Sequence, residues 1–192
     1  MTRQLPAHIQ GLVAYLSQPS EKANEDLALA YFRTMFGADF TRQREAKRAD
    51  GYVPGSFVLE LKGESRDWLS GLFQGLAYKN SDLDFAQIVV AAKSFLAVWQ
   101  VSSIPVPIRM ELSAENGAPN AIGRKYARRY AAREKELLKL ASWDGADLFT
   151  PLFLAQPDIV LSRIDAFGRT LREGERSAKR SRSRTSRPSF VK

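Results

Sequence analysis

The stretch R-A-D-G-Y-V-P-G-S-F-V-L-E-L-K, residues 48–62, decides how this chain is read. Val53-Pro54-Gly55-Ser56 is a turn signal, because proline presets one φ and glycine accepts a positive one. The next six residues, 57–62, are apolar except for Glu60 and Lys62 and predict a strong strand. Side chains alternate along a strand. Phe57, Leu59 and Leu61 therefore take one face and can enter a core, while Val58, Glu60 and Lys62 take the other. Two charges beside apolar surface are costly unless they have partners or a task. With the turn centred near Gly55, pairing sets Leu59 or Glu60 opposite Asp50, so Asp50 and Glu60 are neighbours across the hairpin. A bulge, common beside active sites, is one way to bring both onto one face.

Outward from the hairpin, residues 21–36 predict a helix, with Ser20 as N-cap, an apolar stripe ending in Met35 and Phe36, and Gly37 as its stop. Residues 41–52 suit an exposed strand. Residues 65–79 predict a second helix with Trp68, Leu69, Leu72, Phe73 and Leu76 on its apolar side. Residues 85–92 (F-A-Q-I-V-V-A-A) suit a buried central strand, and 107–112 a further strand. A long basic helix is expected within 119–143 and a short closing helix within 150–170. Strand–helix–strand alternation flanked by helices predicts an α/β domain over residues 1–168. Residues 169–192 are Arg/Ser-rich without apolar period and are expected to be a disordered basic tail.

The acids and lysine of the hairpin read as D-x9-E-x-K. Two carboxylates bind a hard cation through oxygen, and the carbonyl of Leu61 can be a third ligand. Such a cation lowers the pKa of bound water and stabilises charge on phosphoryl oxygens. Lys62 can orient the attacking water or assist its deprotonation. There is no cysteine, and His8 is the sole histidine. Thiolate sites, a Cys nucleophile and a His-based triad are thereby excluded or disfavoured, and magnesium or manganese is the expected metal. Gln74 and Tyr78, spaced as Q-x-x-x-Y, share a helical face with Asp67 and Gly71 and can hydrogen-bond the lysine or a DNA phosphate. A plain exposed strand with a Glu–Lys pair uses the same residues. The apolar run around Glu60, the Pro-Gly turn and the helix that follows favour a site.

On these residues the chain resembles the PD-(D/E)XK nuclease superfamily, and Q-x-x-x-Y after E-x-K resembles its RecB-type branch. The region of about residues 20–92 is similar to the N-terminal nuclease domain of single-chain type II restriction–modification enzymes. The resemblance implies a restriction-endonuclease-like mixed central sheet flanked by helices and a metal-dependent DNA endonuclease that leaves a 5′-phosphate. It also implies magnesium ligation by Asp50 and Glu60, catalysis by Lys62, and support from Gln74 and Tyr78. The family's first-helix glutamate falls on Glu21, with Glu25 one turn along as competitor. The chain has no Gly-rich cofactor loop and no adenine-methyltransferase motif, so the resemblance implies that modification and sequence recognition either reside in a separate methyltransferase or specificity subunit or are absent. A homodimer is a candidate assembly.

The net charge of +8 is uneven. Residues 169–192 hold nine basic against two acidic residues, and residues 124–139 hold seven against two. In the second segment Arg124 and Arg128, and Lys125, Arg129 and Arg133, recur at helical steps, and such a face neutralises phosphates without reading sequence. DNA is the expected partner. Two rival readings are a non-catalytic DNA-binding accessory protein and, resting on the Arg/Ser tail, an RNA-binding protein. No membrane span or signal peptide is expected, and the cytoplasm is the expected location.

Overall fold

Two apolar clusters on opposite faces of one sheet organise the chain. The computed structural model describes residues 4–17, 25–42, 49–81, 83–150 and 155–185. Six strands pair in chain order: β1 (Thr41–Arg42), β2 (Gly51–Val53), β3 (Phe57–Lys62), β4 (Gln87–Ala92), β5 (Phe95–Gln100) and β6 (Trp143–Asp144). All neighbours are antiparallel except β3 and β4, which run parallel. A parallel pair needs a crossover, and helix α3 (Trp68–Ala77) supplies it. The protein is thus α/β, with a mixed six-stranded sheet flanked by helices.

Alternation along the central strands fills both clusters. Val58, Ile88, Val90 and Ala92 meet the apolar side of α3, including Trp68, Leu72, Phe73 and Leu76. Helices α4 (Val106–Ser113), α5 (Pro119–Arg129) and α6 (Glu134–Lys139) complete that layer with Ile108, Leu112, Ile122, Tyr126 and Leu137. Phe57, Leu59, Leu61, Val89 and Ala91 face the other layer, built from α1 (Ala7–Ser17), α2 (Glu25–Phe36) and α7 (Pro157–Thr185). A strand buried on both faces reads as a nearly continuous apolar run, which is why Glu60 stands out.

The structure departs from the sequence expectations at several elements. Residues 107–112 form helix α4 and not a strand. Pro107 fits a first helical turn, and Ile108 and Leu112, four apart, are buried while Met110 is 67% exposed. A strand would put all three on one face. The basic segment is no single helix, because the backbone leaves helical values at Tyr130 (φ −103°, ψ 12°) and a 3-10 turn, Ala131–Arg133, separates α5 from α6. At that break Tyr126 and Tyr130 stack on each other and both pack on Phe73. The expected first strand over 41–52 reduces to β1 and β2, with 43–48 outside the described residues. Ser20 and the start of the 21–36 helix also lie outside them. Helix α1 and strand β5 have no counterpart among the expectations.

The expected disordered tail is replaced by helix up to Thr185. Val160, Ile164, Phe167 and Leu171 recur at helical steps and are all buried, so the apolar stripe crosses the expected boundary at 168. Gly174 then presses directly on the Gln87 side chain. Among the described residues no helix is long and apolar enough to cross a membrane.

Candidate active site

The hairpin turn is built as its residues require. The Ser56 N–H donates to the Val53 carbonyl at 3.0 Å, with Gly55 at φ +73°. Pairing is symmetric about Gly55: Val53 faces Phe57, Tyr52 faces Val58 and Gly51 faces Leu59. One step further the same register sets Asp50 across from Glu60. The paired part of the hairpin, which ends at Gly51 and Leu59, runs without a bulge. Asp50 lies in a bend just past the ladder, where its Oδ2 accepts the Leu61 N–H at 2.7 Å. The carboxylate thus takes the place of the missing ladder partner and is fixed beside β3.

Glu60 and Lys62 emerge on the α3 face of β3. Helix α3 comes close there because glycine allows it. A Cβ on Gly71 would lie 2.8 Å from Val90 Cγ1 and 3.3 Å from both Lys62 Cγ and Cε. The lysine stem is therefore clamped against the helix. Its Nζ donates to Glu60 Oε2 at 3.0 Å and to Gln74 Oε1 at 2.7 Å. The second bond orients the amide, leaving Gln74 Nε2 to donate to the Tyr78 hydroxyl oxygen at 3.2 Å. Since Tyr78 accepts there, its own proton is available to the Glu60 carboxylate, against which the hydroxyl lies. Glu60, Lys62, Gln74 and Tyr78 thus form one connected chain of side chains from strand and helix, with Asp50 held beside it on the Leu61 N–H.

Its electrostatics are those of one acid sealed from water with a second, half-buried, beside it. Glu60 is 0% exposed, and no described group makes a hydrogen bond to its Oε1. Burial pushes its pKa up to about 8, with the Asp50 charge adding to the rise and Lys62 and Tyr78 opposing it. Burial also raises Asp50, against the Leu61 N–H and the Lys62 charge. Tyr78 is raised well above the usual phenol range by burial and by the charge of Glu60. A buried carboxylate oxygen without a partner is expensive, and a divalent cation between the two acids would satisfy it. The donor set is all oxygen and fits such a cation. Among the described residues no group of three or more His, Cys, Asp or Glu side chains comes together. The fit therefore rests on two carboxylates with main-chain and water oxygens.

Two neighbours come from elements that sequence reasoning missed or left open. Tyr15, on α1, donates its hydroxyl to the Lys62 carbonyl at 3.2 Å. Its ionisation is pushed up by burial first and then by the charges of Glu25 and Asp50. Glu25, the first residue of α2, therefore approaches the same corner as Asp50. Glu21 lies outside the described residues. Ile9, Leu12 and Leu16 recur at helical spacing, and that pattern is the signal by which α1 and its Tyr15 were accessible.

The basic residues divide into two groups. Lys125 pairs with Glu115 at 2.6 Å, Arg129 with Glu111 at 3.2 Å and Arg133 with Glu136 at 2.8 Å. Arg124 and Arg128 instead line an open cleft of about 570 Å³ between α3 and α5, together with Lys62, Arg66, Asp67 and Gln74. The cleft therefore reaches the cluster at Lys62 and Gln74. Compared with known protein families, curated proteins and solved structures, the chain matches none.

Proposed function

We propose that this chain is a magnesium-dependent DNA endonuclease or nuclease subunit with a restriction-endonuclease-like fold. The observation that carries the proposal is the hydrogen-bonded chain of Glu60, Lys62, Gln74 and Tyr78, with Asp50 anchored beside it on the Leu61 N–H and one Glu60 carboxylate oxygen left orphaned. Asp50 and Glu60, with the Leu61 carbonyl, would hold the cation, which when bound makes water a better nucleophile and offsets phosphoryl charge. Manganese would serve the same oxygen set. Lys62 is held by Glu60 on one side and Gln74 on the other, and it orients the water or the phosphate oxygen. Tyr78 returns a proton donor to Glu60, and Tyr15 and Asp50 fix the backbone of β3 beneath the lysine. The exposed cations of the cleft face the anionic substrate.

The test is incubation of purified protein with supercoiled plasmid and with single-stranded DNA, in magnesium, manganese or EDTA, beside Glu60→Ala and Lys62→Ala. Metal-dependent cleavage lost in both variants is the expected result. Wild-type protein that cuts neither substrate with either metal would sink the proposal. The rival reading, a non-catalytic DNA-binding accessory protein, draws on there being only two described carboxylates in the cluster. In that case DNA binding survives Glu60→Ala and no metal brings cleavage.

A further inference from the structure

We propose that the cleft between α3 and α5 is a track for a single strand of DNA, with Arg66, Arg124 and Arg128 holding the phosphates that flank the one at Lys62. This rests on the nuclease reading and deepens it. Four cations, Lys62, Arg66, Arg124 and Arg128, meet one carboxylate, Asp67, along its walls. Of the described residues lining it none is aromatic. A wall of cations without stacking surfaces holds the sugar–phosphate backbone and leaves the bases unread. The volume lies in the range of small-ligand pockets, about 300–1,000 Å³. That space admits a few groups of one strand, whereas a duplex would lie across its mouth.

The fold itself selects which cations serve. On α5, Lys125 and Arg129 turn away from α3 and are taken by Glu115, in the loop after α4, and Glu111, on α4. Arg124 and Arg128, one turn apart, take the adjacent face toward α3. Gly123 lets that face approach: a Cβ there would stand 2.7 Å from the Ser70 carbonyl and 2.9 Å from Gln74 Cβ. The residue whose amide orients Lys62 is therefore packed against the turn that presents Arg124. Neutralising an arginine already paired within the protein releases no DNA counterion, so the two sets differ in a measurable way.

The experiment is fluorescence anisotropy of the full chain with end-labelled oligothymidine and with a duplex of equal length, in EDTA, across a sodium chloride series. Arg124→Ala and Arg128→Ala are compared with Lys125→Ala and Arg129→Ala. We expect the single strand to bind more tightly than the duplex. Arg124→Ala and Arg128→Ala should each lose at least about fivefold in affinity and flatten the log–log salt slope by about 0.7. Lys125→Ala and Arg129→Ala should change affinity less than about twofold, with the slope kept. Equal losses in the two pairs, preference for the duplex, or no binding by the wild type overturns the track. The outcome is separable from the nuclease assay: binding that follows the track without cleavage in any metal sinks the nuclease and leaves the track standing. Metal-dependent cleavage unaffected by Arg124→Ala and Arg128→Ala does the reverse.

Discussion

Replacing Glu60 by glutamine should make the metal-free protein more stable at alkaline pH, and the size of the gain follows from burial. Glu60 is fully buried, and its pKa rises from an ordinary 4.5 to about 8 on folding. Below pH 4.5 the carboxyl is protonated in both states and contributes no pH dependence. Between 4.5 and about 8 the folded protein keeps a proton that the unfolded chain has released, so stability falls as pH rises. Above about 8 both states are ionised and the loss is complete. Each pH unit of that interval is worth about 1.4 kcal/mol, so the ceiling is on the order of 5 kcal/mol. Glutamine has nearly the same shape and does not titrate. Asp50 is common to both proteins and largely drops out of the difference.

The assay is urea unfolding in EDTA at pH 5.5 and pH 9, read from Trp68, Trp99 and Trp143, all buried. The variant should gain on the wild type by at least about 2 kcal/mol between the two pH values, or about 4 °C in melting temperature for a domain of this size. Millimolar magnesium should then raise the wild type more at pH 9 than at pH 5.5 and leave Glu60→Gln unmoved. Stabilities of the two proteins that run parallel from pH 5.5 to pH 9 would refute the reasoning, because they would mean that Glu60 is hydrated in the folded state.

Three further outcomes follow from particular contacts. Gly71→Ala places a methyl against Val90 and the Lys62 stem; it should cost about 1–3 kcal/mol and reduce cleavage beyond what the loss of folded protein explains, as thermal melts beside a rate assay would reveal. Leu171→Ala should cost about 2–5 kcal/mol, read as a lower urea midpoint, because its side chain is fully buried beyond the expected domain boundary. Glu25→Gln should lower the cleavage rate and the apparent magnesium affinity while Glu21→Gln does neither; the opposite ranking in a magnesium titration would return the first-helix role to Glu21.

Much of the site was legible because its constraints are local. A Pro-Gly turn dictates the hairpin centre, strand alternation sorts Phe57, Leu59 and Leu61 from Val58, Glu60 and Lys62, and a four-residue helical step links Gln74 to Tyr78. The misread elements are those whose state depends on distant packing. Residues 107–112 carry apolar side chains at both two- and four-residue spacing, and only the layer over α3 selects the helix. Residues 169–185 look disordered by composition, yet Leu171 belongs to a stripe begun at Val160, and the anchoring surface is the far end of β4. Tyr15 acts on Lys62 across 47 positions of sequence, a distance at which a single chain carries no pairing signal.

The division of the basic helix shows the same limit and bears on how the protein would work. Arg124, Lys125, Arg128 and Arg129 are equivalent by composition and period. They become different only when α4 and the loop after it bring Glu111 and Glu115 to one side of α5 and the glycines of α3 and α5 open the other toward Lys62. Ile122 and Tyr126, buried in the layer over α3, fix the helix, so the cations on the cleft side stand on a held scaffold. The cluster below follows the same logic: the orphaned Glu60 oxygen is unfavourable for folding, and its compensation lies in the apolar layers on both faces of β3. At alkaline pH without metal, Glu60→Gln should therefore stabilise the fold while removing the proposed cleavage, whereas a substitution that relaxes the layers should reduce both together. That opposition of sign separates a site under strain for function from an ordinary buried ion pair, for which loss of Glu60 would only destabilise.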